Sequence, residues 1–242
     1  MSRTLLVYAV MLLLLLILGL PLTLWSLLLG NTDALYSVGV FSARIALRLA
    51  GVRLIVTGKE KIPMGKAVVF MANHQSNCDP PALASVLPPV LIMAKQEFFR
   101  VPIIGMGMRM RGFIAVDRTH RERAFQAVDQ AVASLKAGHS FLAFPEGTRS
   151  STGRLQRFKK GVFVMAIKAG VPIVPISVSG ANKIMRRGDF RIGPGPLRIT
   201  IHDLIPTAGC SIADRSMVAE QVRQAIIEGL LLEERPLGPD GD

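Results

Sequence analysis

The chain has 242 residues, half of them hydrophobic, and a mean hydropathy of +0.40. That length supports one sizeable α/β domain with an appendage, and the hydropathy excludes an ordinary cytosolic enzyme. A net charge of +12 and a pI of about 10.5 favour anionic partners, whether nucleic acid, phosphorylated metabolites or an acidic bilayer surface, without choosing among them.

The apolar excess begins at once. Leu5 to Leu29 carries no charge. At ~1.5 Å per residue, a helix of this length reaches across a bilayer core of ~30 Å. Pro21 predicts a kink in it. Arg3 ahead of the run also fits a signal peptide, but no convincing small-x-small cleavage site follows. Gly30-Asn31-Thr32-Asp33 reads as a turn with Asp33 as N-cap. A second helix then extends to Ala50 and closes at Gly51. Its uncharged stretch, Ala34 to Ala43, is ten residues and too short to span a bilayer. Arg3 marks one end of the pair and Arg44, Arg48 and Arg53 the other, while the turn has no Lys or Arg. The positive-inside rule therefore places both ends on the cytoplasmic side. The expectation is a helical hairpin (residues 1–51) inserted from the cytoplasmic face of a membrane, with residues 1–50 as the anchor. A single span is the alternative.

From Val52 onward short apolar runs alternate with helical patterns. Strands are expected at residues 53–57, 67–72, 90–94, 113–116, 140–144, 173–178 and 197–201. Helices are expected at 80–86, 121–136, 159–168 and 214–232. The alternation predicts an α/β domain over residues 52–235, a mixed, largely parallel sheet flanked by helices. Residues 236–242 read as a flexible tail.

Chemistry concentrates at three strand ends. The first is Asn73-His74-Gln75-Ser76-Asn77-Cys78-Asp79, directly after a strand, where α/β sheets place their sites. Five positions apart, His74 and Asp79 meet only if the loop curls, with Pro80 opening the next helix. A carboxylate on Nδ1 would fix the tautomer and leave Nε2 to take a proton from an alcohol. The bland alternative is a helix cap beside a satisfied loop histidine. Ser76 or Cys78 could also serve as a nucleophile activated by His74, although neither sits in a nucleophile elbow. The second strand end is Gly112-Phe113-Ile114-Ala115-Val116-Asp117-Arg118, and the third is Phe144-Pro145-Glu146-Gly147-Thr148-Arg149-Ser150. Arg118 and Arg149 could converge on one phosphate, or each could belong to a surface salt bridge with Asp117 or Glu146. Lys159 and Lys160 add positive charge ahead of Gly161.

With two cysteines, Cys78 and Cys210, and no C-x-x-C pairing, a disulfide framework or zinc site is not expected. His74, His120, His139 and His202 form no metal-ligand spacing.

On these residues the chain resembles the 1-acylglycerol-3-phosphate acyltransferase family, within the broader glycerolipid acyltransferases. Four blocks match in order: His74 with Asp79 (H-x-x-x-x-D), residues 112–118, residues 144–150, and Val171-Pro172-Ile173-Val174-Pro175-Ile176. Lys95-Gln96-Glu97-Phe98-Phe99, with Pro102 and Gly105, matches the stretch before the second block. The resemblance implies the glycerol-3-phosphate acyltransferase-like fold and transfer of an acyl group from acyl-CoA or acyl carrier protein to 1-acyl-sn-glycerol-3-phosphate, giving phosphatidic acid. It implies that His74 is the base and Asp79 its orienter, and that Arg118, Arg149 and Lys95 hold the acceptor phosphate. Glu146, Gly147 and Thr148 would shape the acceptor pocket, and Val171, Pro172, Ile173 and Pro175 the wall of the acyl site. It implies no metal and no tightly bound cofactor. The membrane, lysophosphatidic acid and the acyl donor are the expected partners, at the cytoplasmic face of a membrane such as a bacterial inner membrane.

Three other readings stay open. The same base could activate water in a hydrolase. The acceptor could be glycerol-3-phosphate or another lysophospholipid. A basic nucleic-acid-binding protein is disfavoured, because aromatics are only 6% and no recognised module appears.

Overall fold

The computed structural model describes residues 2–117 and 121–238. Helix α1 (Ser2–Leu14) runs through a π-helical segment (Leu15–Gly19) into α2 (Leu20–Leu29), and α3 (Asp33–Leu49) folds back along them. The π segment absorbs Pro21. The Leu20 N–H bonds to the Leu15 carbonyl, five residues back, and Pro21 itself has no N–H to offer. At the turn the N-cap is Thr32 rather than the expected Asp33, and the Asn31 carboxamide accepts the Asp33 N–H at 2.8 Å.

Beyond the hairpin lie β1 (Val52–Thr57), β2 (Val69–Ala72), α4 (Asp79–Ala84), β3 (Val90–Lys95), α5 (Ile104–Arg111), β4 (Ile114–Val116) and α6 (Arg121–Lys136). Then come β5 (Ser140–Ala143), α7 (Gly161–Ala169), β6 (Ile173–Ser179), α8 (Ala181–Ile184), β7 (Gly195–Ile201) and α9 (Arg215–Gly229). The strands form one sheet in the order β1-β7-β6-β2-β5-β3-β4, parallel throughout except for β6 against β7. Pro175 is tolerated in this interior strand because the β6–β7 ladder begins one residue later, at Ile176.

The period of two along β2 divides the core. Phe70 and Ala72 pack under the hairpin and α4, in a cluster with Val7, Leu47 and Ala50. Val69 and Met71 pack on the opposite face with residues of α6, α7 and α9, among them Phe163 and Val222. Fully burying side chains such as Phe70 and Phe141 contributes ~1.5–3 kcal/mol each. The hairpin therefore shares a core with the sheet, and residue 51 is not a packing boundary.

Among the described residues one helical run, Arg3–Leu29, is long and apolar enough to cross a membrane. Yet both its ends are fastened to the sheet domain. Thr4 exchanges hydrogen bonds with Ile192 and the Tyr8 hydroxyl donates to the Phe190 carbonyl at 2.9 Å. Just past the other end, Asp33 pairs with Arg111 at 2.8 Å, and that guanidinium lies over the Tyr36 ring. The outward face of α1 and α2 is a stripe of exposed Leu5, Leu12, Leu16, Trp25 and Leu28.

Candidate active site

Strand β2 ends at the centre of the sheet, and the loop after it is held from every side. The Asn73 carboxamide donates to the Val178 carbonyl (2.8 Å) and accepts the Val178 N–H (2.7 Å), fixing the loop to β6. The His74 carbonyl accepts the Ser150 N–H at 2.8 Å, and the His74 N–H donates to Glu146 Oε1 at 2.6 Å. Both bonds fix the loop to the segment after β5.

The loop curls as the spacing requires. Asp79, the first residue of α4 and fully buried, turns its carboxylate back. Its Oδ2 lies 2.8 Å from His74 Nδ1 and accepts the N–H groups of Gln75 and Ser76, each at 2.7 Å. A carboxylate so held is a fixed acceptor, which puts the imidazole proton on Nδ1. The ring stacks on Phe144, centroids 4.1 Å apart. Phe144 lies one residue past β5, although the sequence reading had placed it inside that strand. The imidazole side chain keeps 17% exposure, and Nε2 has no hydrogen-bond partner among the described residues.

Glu146, expected to shape the acceptor pocket, is turned into the frame of the site. It is buried, and while Oε1 serves His74, Oε2 accepts from the Gln156 backbone (3.1 Å) and side-chain amide (3.0 Å). Burial pushes its carboxyl up to about 7, against the pull of those donors. Nor does it pair with Arg149. Gly147 adopts φ +71°, and a Cβ there would meet the Lys159 side chain at 2.8 Å. The Thr148 carbonyl accepts from Gln156 at 3.2 Å.

Arg149 lies one residue from the Ser150–His74 bond, and its guanidinium has no partner among the described residues. Lys95, at the end of β3, is two strands from β2 and pairs with exposed Glu97 at 3.3 Å. Arg118 lies outside the described residues, and Asp117 pairs with Arg123 at 3.0 Å.

The residues expected to wall the acyl site lie just before β6 and within it. Val171 and Pro172 precede β6 at the end of the sheet remote from His74, and Ile173 and Val174 are buried in its two cores. Val171, Pro172, Ile173 and Pro175 are not among the residues that bound the apolar cavity under the hairpin. An apolar space lies between the hairpin and the sheet. A cavity of about 650 Å³, almost wholly apolar, is bounded by Met11, Leu15, Leu35, Gly39, Ile92 and Met108. Pro80 and Pro81, the residues after Asp79, form part of its wall.

Ser76 and Cys78 are not nucleophiles in this geometry. The Ser76 hydroxyl donates to the Met185 carbonyl at 2.8 Å, and burial pushes the Cys78 thiol up to about 11. Sequence reasoning missed Gln156, the partner of Glu146 ten residues on, for which no local pattern exists. It also missed Asn73 as a clamp, although that residue was in the quoted block.

Comparison with known proteins places these features in a lineage. The acyltransferase family model matches residues 53–179. The 1-acyl-sn-glycerol-3-phosphate acyltransferase of Borreliella burgdorferi is 31% identical over 188 residues, 77% of this chain and 75% of that one. The chloroplastic 1-acyl-sn-glycerol-3-phosphate acyltransferase BAT2 of Brassica napus is 36% identical over 73% of this chain. The chain spans about half the length of the plant and algal relatives, 51% and 53%. The crystal structure of the 1-acyl-sn-glycerophosphate acyltransferase PlsC from Thermotoga maritima superposes with a TM-score of 0.79 at 26% identity, covering 94% of this chain and 96% of that one.

Proposed function

The chain belongs to the 1-acyl-sn-glycerol-3-phosphate acyltransferase family, and we propose that it transfers a fatty acyl group from an acyl thioester to the sn-2 hydroxyl of 1-acyl-sn-glycerol-3-phosphate, giving phosphatidic acid. The observation that carries this reading is the His74–Asp79 pair, with Nε2 unpaired among the described residues and the apolar cavity walled by Pro80 and Pro81, the residues that follow Asp79.

In the proposed reaction Nε2 takes the hydroxyl proton as the acceptor oxygen attacks the thioester carbonyl. The tetrahedral intermediate collapses by breaking the C–S bond, and the imidazolium returns its proton to the departing sulfur. Asp79, fixed by two backbone amides, stabilises the imidazolium. The acyl chain occupies the cavity under the hairpin. The acceptor phosphate is taken by Arg149, with Arg118 and Lys95 as its further cations. The reaction calls on no metal or cofactor beyond the acyl donor, acyl-CoA or acyl carrier protein.

The protein works at a membrane, on its cytoplasmic face, and we read the hairpin as lying within one leaflet. A crossing by Arg3–Leu29 would draw the domain fastened at both its ends, at the Phe190 loop and at the Asp33–Arg111 pair, into hydrocarbon with it, at a cost charged groups rarely meet. Lying flat, the outward leucine stripe meets lipid and the cavity opens beside acyl chains.

The test is incubation of the purified chain with an acyl thioester and lysophosphatidic acid, the products resolved by mass spectrometry. Two-chain phosphatidic acid supports the reading. Free fatty acid as the sole product would make the protein a hydrolase.

A further inference from the structure

We propose that Arg186 and Arg187 form a second phosphate-binding site, one that takes the phosphate of the acyl donor's phosphopantetheine arm, the group that coenzyme A and acyl carrier protein share. The proposal rests on the acyl-transfer reading above and assigns the donor a place in it.

The two residues belong to Met185-Arg186-Arg187-Gly188-Asp189-Phe190-Arg191, which matches none of the blocks read from the sequence. The loop follows α8 and is built into the catalytic apparatus at its first residues. The Met185 carbonyl accepts the Ser76 hydroxyl at 2.8 Å, and its sulfur lies 4.0 Å from the Cys78 thiol. Both partners lie between His74 and Asp79. Arg187 Nη1 then donates to the Arg149 carbonyl at 3.0 Å, which ties the loop to the segment after β5 as well. Gly188, at φ +84°, turns the chain away toward the hairpin base.

Charge accounting separates these two arginines from their neighbours. Arg191 is neutralised by Asp189 at 2.9 Å and Lys183 by Glu233 at 3.1 Å. Arg187 spends one N–H on a neutral carbonyl, and the Arg186 guanidinium has no hydrogen-bond or ion-pair partner among the described residues. Both are exposed. Two forked, uncompensated cations beside a catalytic loop suit a phosphate.

The sheet order points to the donor rather than the acceptor. Strand β2, which carries His74, has β6 on one side and β5 then β3 on the other. Arg186 and Arg187 follow from β6, whereas Arg149 follows β5 and Lys95 comes from β3, so the two sets approach the histidine from opposite sides and meet at the Arg187–Arg149 backbone bond. Acyl transfer must bring two phosphate-bearing molecules to one imidazole. Their like charges repel, so separate cation sets on opposite flanks of His74 let the reacting ends meet while the phosphates stay apart.

The test uses full-length protein in neutral detergent micelles and compares wild type with R186Q, R187Q and the double variant. Initial rates are measured with acyl-CoA, with acyl carrier protein thioester, and with an acyl-pantetheine that lacks the phosphate. The KM for both phosphorylated donors is expected to rise roughly tenfold in the double variant. In R186Q, the KM for lysophosphatidic acid and the kinetics with acyl-pantetheine should stay at wild-type values. R186Q alone, whose side chain touches no part of the site loops, carries the test if the double variant does not fold. An effect on acyl-CoA without one on the carrier-protein thioester would place the contact on the nucleotide phosphates and overturn the shared-arm assignment. A rise in acceptor KM instead, an equal loss with acyl-pantetheine, or unchanged donor KM would each overturn the proposal. So would a defect seen only on anionic vesicles, which would make the pair a headgroup contact. Every comparison is relative to wild type. If wild type makes no phosphatidic acid from any donor, the parent reading has failed instead.

Discussion

The backbone N–H of His74 and the buried carboxylate of Glu146 are joined by a 2.6 Å hydrogen bond, so the segment after β5 holds the residue proposed as the base. The bond gives the glutamate of Phe-Pro-Glu-Gly-Thr-Arg a part in holding the histidine loop. It also sets the first expectation. Glu146→Gln keeps one carbonyl for His74 but turns an amide nitrogen toward the two Gln156 donors, or the reverse. Leaving buried donors unpaired costs about 1–3 kcal/mol. The variant should lose that much stability in a denaturant melt and show a lower kcat with little change in acceptor KM. A variant with a raised KM and an unchanged kcat would return Glu146 to the acceptor pocket.

The same carboxyl gives a pH dependence of known sign. Its folded value of about 7 lies above the usual 4.5, so the folded state binds the proton more tightly than the unfolded one. The stabilisation this confers is complete below about pH 4.5 and is lost as pH rises through about 7. The Tm of wild type relative to Glu146→Gln should therefore fall between those limits. A difference that is flat, or that grows with pH, would contradict the raised value.

How much of this was legible in the sequence depended on range. All seven strands were, because β2, β5 and β6 are near-continuous apolar runs buried on both faces. Helix α5 was not. Ile104-Gly105-Met106-Gly107 carries two glycines and no clean period, and the helix is set by the Arg109 guanidinium on the Phe99 carbonyl and by Gly105 pressed against that same backbone. The His74–Asp79 meeting could be read because both partners lie in one loop. Gln156 on Glu146 and Arg187 on Arg149 could not, since each joins segments that only the fold brings together. The apolar character of the expected acyl wall has a packing cause. Val171-Pro172-Ile173 is apolar because it enters the core.

If the acyl chain lies under the hairpin, the depth of the cavity should set chain length. Gly39 lines it from α3, and a Cβ there meets nothing within 4 Å. Gly39→Phe relieves an exposed helical glycine and fills space without backbone strain. It should shift preference toward shorter acyl groups by several-fold in kcat/KM, measured across a donor series from ten to eighteen carbons. An unchanged profile would move the acyl chain elsewhere.

Membrane attachment should follow the outward stripe rather than the presence of the hairpin as such. Removing residues 1–50 would strip Val7, Leu47 and Ala50 from a core shared with Phe70, so that truncation should misfold rather than release a soluble enzyme. Replacing exposed Leu5, Leu12, Leu16 and Leu28 with serine leaves the core intact. The variant should sediment with vesicles markedly less than wild type while keeping its melting temperature. Full retention would show that the stripe does not meet lipid.

The central claim is that Nε2 of His74 takes the proton of the acceptor hydroxyl. Its most direct test is the initial rate of phosphatidic acid formation by His74→Ala, in a protein whose circular dichroism and melt match wild type. Loss of a general base predicts a fall of roughly 10²–10⁴ in kcat. A rate within a few-fold of wild type would contradict the claim and with it the role assigned to Asp79.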